Sequence, residues 1–166
     1  MNKALLILGG NQGNSVKNID FAITQIKELV GEISKKSSLY QTAAWGKTNQ
    51  ADFINQAIEI ETLLTPNDLL NVLLTIEQTL GRTRSAVKWE ERTIDIDILF
   101  YNNLIISEEH LKIPHPFLQD RKFVLVPLAE IAADKIHPLL NKSIHQLLMD
   151  CADTLLVKKI ATVQNA

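Results

Sequence analysis

The stretch Ile94-Asp95-Ile96-Asp97-Ile98 alternates strictly between isoleucine and aspartate. Alternate side chains of a β-strand point to opposite faces, so this pattern predicts a strand with one apolar face and one acidic face. The two carboxylates then lie about 6–7 Å apart along the strand. Aspartate is a poor strand former, and a divalent cation between two carboxylates would cancel their repulsion. Leu99 and Tyr101 are expected to continue the acidic face as apolar groups, which places the carboxylates at a pocket edge. A solvated sheet edge is the alternative.

The elements around this strand have the order strand, helix, strand, strand, helix, strand. Apolar periodicity predicts the strands over 3–8, 32–42, 53–63, 94–101 and 154–160, and the helices over 16–29, 66–80, 124–133 and 143–151. This order predicts an α+β fold, namely a ferredoxin-like βαββαβ sandwich with a mainly antiparallel sheet. Helices are expected on one face, together with a helical C-terminal extension, so that the other face can carry ligands. Gly9 and Gly10 lack a phosphate-loop pattern around them and favour a tight strand-to-helix turn.

Composition excludes several classes of protein. A length of 166 residues favours one domain over 1–166, and a net charge of −2 argues against a general nucleic-acid binder. The one cysteine, Cys151, allows neither an intrachain disulfide nor a cysteine-based metal cluster. No apolar run is long enough for a membrane span. We therefore expect a cytoplasmic monomer with no nucleic-acid and no membrane partner.

A cationic segment precedes the two aspartates. Arg82, Arg84, Lys88 and Arg92 fall within eleven residues and enclose Trp89. Guanidinium groups bind phosphate oxygens in a bidentate manner, so the segment predicts a loop that closes over a polyphosphate. A solvated charged loop is the alternative.

Two further residues after the acidic strand suit phosphate binding. His115 stands between Pro114 and Pro116, which limit backbone freedom and present the imidazole rigidly. A histidine can donate a hydrogen bond to charge that develops on a phosphate, although lone histidines are often structural. Arg121 is a second candidate, with a surface ion pair to Asp120 or Glu130 as its alternative.

A candidate site for a flat ligand lies on another strand. Phe53 and Asn55 share one strand face, where a ring can stack on a heterocycle and an amide can bind its polar edge. Thr42 and Trp45 precede that strand and are expected to complete such a pocket. A core phenylalanine beside an edge asparagine is the alternative.

Together these motifs resemble the 6-hydroxymethyl-7,8-dihydropterin pyrophosphokinase family. The resemblance covers nearly the whole chain, and the segment from Arg92 to Ile98 is its most specific part. Pro114-His115-Pro116 and residues 121–128 follow in the family's order. The resemblance implies transfer of the diphosphoryl group of ATP to the hydroxymethyl group of the pterin, with release of AMP.

The family resemblance also implies a role for each matching position. Asp95 and Asp97 are expected to bind two Mg²⁺ ions, and both are expected to be catalytic together with Arg82 and Arg92. The expected ATP contacts are Glu77, Arg84, Trp89, Arg92, Ile98, His115 and Arg121. The expected pterin contacts are Thr42, Ala43, Trp45, Phe53, Asn55 and Phe123, with the two phenylalanine rings as walls. The chain departs from the pattern at Ala44, where proline is usual, and at Glu90-Glu91, where Gly-Pro is usual.

Two other functions fit parts of the sequence. A non-catalytic ferredoxin-like module that binds RNA or a regulatory ligand fits the fold, but it predicts a basic and aromatic sheet face where Asp95 and Asp97 stand. A metal nuclease fits the aspartates but leaves Phe53, Asn55 and Phe123 unexplained.

Overall fold

The structure is a computed structural model that describes residues 1–43, 51–81 and 93–160. Its strands are β1 (Asn2–Gly10), β2 (Gly31–Lys36), β3 (Tyr40–Thr42), β4 (Phe53–Thr62), β5 (Asp95–Tyr101), β6 (Ile106–Ser107), β7 (Lys112–Ile113) and β8 (Val157–Lys159). Its helices are α1 (Ser15–Leu29), α2 (Pro66–Thr79), α3 (Lys122–Ala132) and α4 (Ile144–Asp150), with a 3₁₀ turn at Leu118–Asp120. In these ranges no helix is both long and apolar enough to cross a bilayer.

The main sheet has the strand order β5-β1-β4-β3-β8, and β2 pairs with β4 beside β3. Every pairing in it is antiparallel, which confirms the predicted sheet type. The single strand predicted over 32–42 is divided into β2 and β3. From Lys36 to Tyr40 the chain advances four residues while β4 advances only three, from Ile58 to Asn55. The extra residue interrupts the ladder as a bulge does.

Helices α1 and α2 cover one face of the sheet, which we call the first face. Their N-caps are Asn14 and Thr65, whose side chains accept hydrogen bonds from Lys17 N and Asp68 N. The aliphatic core between these helices and the sheet is built mainly from Leu6, Leu8, Ile19, Ile23, Ile26, Ile58, Ile60, Leu69, Leu73, Ile76, Ile96 and Ile98. This packing follows the predicted periodicity, because alternate strand residues and every third or fourth helix residue meet there.

Helices α3 and α4 cover one half of the opposite face, which we call the second face. They pack on Leu5, Ile7, Ala57 and Phe100. The helices therefore lie on both faces, whereas the sequence predicts helices on one face and a helical extension of unassigned position. The physical reason is that these second-face side chains are apolar and lose contact with water when the helices cover them. The half that these helices leave uncovered carries Asp95 and Asn55.

A β-bulge changes the faces of the last residues of β5. Leu6 pairs with Ile98, but Leu5 pairs with Phe100, so Leu99 is an extra residue. Leu99 and Phe100 both join the second-face core, and Tyr101 joins the first-face core. The prediction that Tyr101 continues the acidic face is wrong, because one inserted residue reverses the alternation after it.

The prediction of a tight turn at Gly9 and Gly10 is also wrong. Strand β1 continues through Gly9 and Gly10, which pair with Asn55 and Ile54 of β4. The strand therefore ends two residues later than its apolar run.

Candidate functional site

A row of neighbouring residues crosses the uncovered half of the second face. Asp95 of β5 pairs with Gly9 of β1, Gly9 pairs with Asn55 of β4, and Asn55 pairs with Tyr40 of β3. Adjacent strands lie about 4.8 Å apart, so the row brings together groups that are far apart in sequence. Asp97 belongs to the next row, where it pairs with Ile7 of the second-face core. Both aspartates are half-buried. The structure thus places them on one face, as the alternation predicts.

Gly9 gives the side chain of Asn55 room to lie across β1. A Cβ atom built on Gly9 would stand 2.0 Å from Asn55 Oδ1. No side chain fits at that distance, so the Asn55 amide occupies the space above the glycine. Asn55 is itself buried, with 5% of its surface exposed. Sequence reasoning missed Gly9 as a site residue, although a glycine within a strand signals a close approach of this kind.

Glu77 fixes the backbone of the acidic strand. It lies on α2 and is 4% exposed, and its Oε1 accepts a hydrogen bond from Ile96 N at 2.8 Å. Strand β5 is at the edge of the sheet, so this carboxylate supplies an acceptor where a further strand would. Because Ile96 stands between the two aspartates, Glu77 holds the peptide segment that presents both carboxylates.

Ile98, an expected ATP contact, has its side chain in the first-face core, where it is 5% exposed. Any contact that Ile98 makes with a nucleotide at the edge of β5 therefore comes from its main chain.

His115 is fixed against β5 as a neutral hydrogen-bond donor. Its backbone N donates to Leu99 O at 3.0 Å, and its Nδ1 accepts from Phe117 N at 3.2 Å. Burial, reinforced by the nearby Arg121 charge, lowers the pKa of His115 from 6.5 to about 4. At neutral pH the single ring proton is therefore on Nε2, because Nδ1 is an acceptor. Nε2–H can donate to an anionic ligand.

Arg121 stacks on two aromatic rings at the start of α3. Its guanidinium carbon lies 5.2 Å from the Phe117 ring centre and 5.8 Å from the Phe123 ring centre. Neither alternative ion pair of Arg121, with Asp120 or with Glu130, forms in the described ranges. Glu130 instead accepts from Ser38 Oγ at 2.8 Å and pairs with Lys159 Nζ at 3.4 Å. The stacking orients Arg121 and couples it to the position of Phe123.

The residues expected to bind a flat ligand lie on β3, on β4 and at the start of α3. Phe53 pairs with Thr42, and both belong to the sheet, while Phe123 approaches from the first turn of α3. Both phenylalanines are half-buried, Thr42 is 4% exposed, and Ala43 beside it is exposed. Each phenylalanine thus keeps part of its surface accessible, and Phe123 also packs against the second-face core.

Five expected site residues lie outside the described residues. These are Trp45 of the segment 44–50 and Arg82, Arg84, Trp89 and Arg92 of the segment 82–92. The prediction of a cationic loop that closes over phosphates stays a prediction.

The acidic pair offers a donor set that fits Mg²⁺. Both side chains supply hard carboxylate oxygens from a fixed strand edge. Within the described ranges no group of three or more His, Cys, Asp or Glu side chains converges on a metal position. Two carboxylates without a third His, Cys, Asp or Glu ligand from the described residues suit a cation whose other ligands are phosphate oxygens and water. The set lacks the nitrogen and sulfur ligands typical of structural zinc.

Comparison with known proteins gives a consistent set of relatives. The family model described as 7,8-dihydro-6-hydroxymethylpterin-pyrophosphokinase (HPPK) matches residues 5–133. A 2-amino-4-hydroxy-6-hydroxymethyldihydropteridine pyrophosphokinase of Synechocystis is 43% identical over 151 residues, covering 89% of this chain and 76% of that protein. A protein of the same name from Haemophilus influenzae is 39% identical over 156 residues, covering 93% of this chain and 96% of that protein.

Solved structures share the fold at low identity. The HPPK-DHPS wild type of Plasmodium falciparum superposes with a TM-score of 0.75 at 18% identity. The match covers 90% of this chain and 44% of that chain, so the present chain spans less than half the length of that protein. At this identity the likeness supports the fold alone.

Proposed function

Because this chain belongs to the 7,8-dihydro-6-hydroxymethylpterin-pyrophosphokinase family, we propose that the uncovered half of its second face is the active site. The chain is a pyrophosphokinase that transfers a pyrophosphoryl group to hydroxymethyldihydropterin in folate biosynthesis, and the family uses ATP as co-substrate. The observation that carries the location is the row in which Asp95, Gly9 and Asn55 are neighbours. It joins an acidic pair to an amide that can bind a pterin edge.

In this proposal Asp95 and Asp97 hold two Mg²⁺ ions. Their shared face, half-burial and all-oxygen chemistry support the assignment. Bound Mg²⁺ neutralises phosphate charge and aligns the reacting oxygens. Glu77 keeps the carboxylates in place through its hydrogen bond to Ile96 N.

The nucleotide is proposed to lie along the β5 edge. His115 donates from Nε2–H to a phosphate oxygen, and the stacked Arg121 guanidinium supplies a fixed positive charge. Glu77 and the main chain of Ile98 line the same edge. The remaining proposed ATP contacts are Arg84, Trp89 and Arg92. The proposed catalytic cations are Arg82 and Arg92, which neutralise negative charge on the transferred diphosphoryl group.

The pterin is proposed to lie between the rings of Phe53 and Phe123. The Asn55 amide carries both donors and an acceptor and suits the polar edge of the heterocycle. Its position above Gly9 supports this role, because the amide is buried over β1, and β1 pairs with the strand that carries both aspartates. The proposed pocket is completed by Thr42, Ala43 and Trp45.

With both substrates held, the pterin hydroxymethyl oxygen attacks the β-phosphorus of ATP. A new oxygen–phosphorus bond forms while the bond from the β-phosphorus to the α,β-bridging oxygen breaks, and AMP leaves. Asp95 orients the attacking hydroxyl or accepts its proton, which is then released to solvent. Positioning and charge stabilisation provide most of the rate in such transfers, which suits a site built from aligned rings, carboxylates and cations.

We assign the chain to the ferredoxin-like βαββαβ folds as a single domain over residues 1–166. The strand order β5-β1-β4 followed by β2 and β3, with α1 and α2 on one face, supports this assignment. The monomeric state and the cytoplasmic location stay predictions.

The experiment that tests this function measures products of the purified chain with ATP, hydroxymethyldihydropterin and Mg²⁺. We expect AMP and the pterin diphosphate in equal amounts. Removal of divalent cations with EDTA stops the formation of both products, and added Mg²⁺ restores it. Formation of ADP contradicts diphosphoryl transfer, and an unchanged rate in EDTA contradicts only the metal proposal.

A further inference from the structure

Residues 151–160, which we call the C-terminal strap, contact elements on both sides of the proposed pterin pocket. The family model ends at residue 133, so the strap lies beyond the part of the chain that this model matches. It runs from the end of α4 through β8, and it packs Cys151 against the second-face core and Ile160 against the first-face core.

One end of the strap holds the start of α3. Asp153 Oδ2 accepts a hydrogen bond from Lys122 N at 3.0 Å, and its Oδ1 accepts from Leu155 N at 3.0 Å. The N-cap residue of α3, Arg121, makes no side-chain hydrogen bond to the helix. Asp153 therefore provides the capping contact from a distant segment, and its negative charge suits a helix N-terminus.

The capped amide lies between two proposed site residues. Arg121 precedes Lys122 and Phe123 follows it, and the two side chains stack on each other. Fixing the peptide of Lys122 thus fixes the backbone from which the phosphate-binding cation and one aromatic wall both project.

The other end of the strap holds the opposite wall. In the β3–β8 pairing, Thr42 is opposite Val157, and Thr42 also pairs with Phe53 across β3 and β4. Beyond the ladder, Ile160 N donates to Leu39 O at 2.9 Å. A strap that is bonded to β3 and to α3 sets the separation between the sheet wall and the helix wall.

We propose that Asp153 is a positioning residue for the pterin. It acts through Lys122 N to keep Phe123 at its distance from Phe53, while β8 keeps the strap on β3. This inference rests on the proposed function, since it takes the two phenylalanine rings as the pocket walls.

The test compares two helix caps in the full chain. Asp153→Ala removes the cap of α3, and Ser143→Ala removes the cap of α4, where Ser143 Oγ accepts from Gln146 N at 3.1 Å. Binding of hydroxymethyldihydropterin is titrated in the presence of Mg²⁺ and a non-hydrolysable ATP analogue, and thermal unfolding is recorded in parallel. We expect Asp153→Ala to weaken pterin binding by about fivefold, the size of one lost cap.

The control and the conservative variant separate positioning from stability. Ser143→Ala lowers the unfolding temperature but leaves pterin affinity unchanged, because α4 carries no proposed site residue. Asp153→Asn keeps an acceptor oxygen for Lys122 N and restores affinity to within about twofold of the wild type. Equal losses of affinity in Asp153→Ala and Ser143→Ala overturn the proposal.

Two further variants keep the outcomes distinct. Phe123→Ala tests the wall itself, and wild-type pterin affinity in that variant contradicts the proposed function. Weak binding by Phe123→Ala together with wild-type binding by Asp153→Ala contradicts only the role of Asp153. If Asp153→Ala does not fold, Asp153→Glu replaces it, since one extra methylene displaces the helix start. Wild-type affinity in Asp153→Glu then overturns the proposal.

Discussion

The two faces of the sheet are made by the same strands but are used differently. The first face is covered by α1 and α2, and its core is mainly aliphatic and buried. The second face is covered by α3 and α4 over one half, and its other half carries Asp95, Asp97 and Asn55. The alternation of a strand thus lets one segment contribute to the core on one side and to the proposed active site on the other.

The comparison predicts that substitutions on the two faces have separable effects. A change on the first face should alter the free energy of unfolding, and a change on the uncovered half of the second face should alter activity. The following substitutions test that separation.

The largest expected effect is on activity, from Asp97→Asn. Removal of one carboxylate charge from the pair should lower kcat by about 10²–10³-fold, as the loss of one preorganised electrostatic group commonly does. The free energy of unfolding, measured with urea, should change by less than about 1 kcal/mol. The matched control is Asp20→Asn on the exposed surface of α1, which should keep wild-type kcat. Near-normal turnover of Asp97→Asn at saturating Mg²⁺ contradicts the proposed site.

The next effect is on stability, from Ile58→Ala on the first face. Ile58 is 0% exposed in the aliphatic core, so truncation leaves a cavity and should lower the free energy of unfolding by about 3 kcal/mol. The kcat of the folded fraction should remain at the wild-type value. A parallel fall in kcat, measured where the variant is fully folded, would show that the faces are not separable.

A smaller effect is expected within the second face, from Gly9→Ala. The added Cβ would lie 2.0 Å from Asn55 Oδ1 and must displace the amide, so the KM for the pterin should rise by about tenfold. Asn55→Ala alone should also raise it. The KM of the double variant should be no higher than that of Asn55→Ala, because the amide that the added Cβ displaces is then absent. Fully additive effects in this double-mutant cycle contradict the close approach as the cause.

The smallest effect concerns the pH dependence of stability at the β5 edge. The pKa of His115 is about 4 in the folded chain and 6.5 when unperturbed, so the unfolded chain binds the extra proton between these values. Stability from neutral His115 is therefore complete above about pH 6.5 and is lost as the pH falls toward 4. His115→Gln should reduce the loss of unfolding free energy between pH 7 and pH 5 by about 1–2 kcal/mol. The control is His145→Gln at an exposed histidine. An equal dependence of the unfolding free energy on pH in the two variants contradicts the low pKa of His115.

Much of the fold was predictable because it depends on local patterns. The helical spacing of Ile19, Ile23 and Ile26 gives α1, and the alternation around Asp95 and Asp97 gives β5. The bounds of most elements differ from the prediction by one or two residues, since caps such as Asn14 and Thr65 are local signals.

The errors occur where a partner strand decides the geometry. The bulge at Leu99 and the division of β2 from β3 depend on the register with β1 and β4, which no local pattern shows. The sequence predicts a turn at Gly9, because the role of this glycine is visible only when Asn55 is placed beside it. The second-face position of α3 and α4 likewise depends on which apolar surface the first two helices leave uncovered.

The sequence by itself determined which side chains are candidates for the chemistry and which of them share a strand, because strand alternation is a property of one segment. The tertiary structure alone decided that Asp95, Gly9 and Asn55 form one row, that Glu77 binds the peptide between the aspartates, and that Asp153 caps α3. It also decided that His115 is neutral, through burial and the Arg121 charge. Each of these depends on distances between segments remote in sequence, which only the folded chain brings into contact.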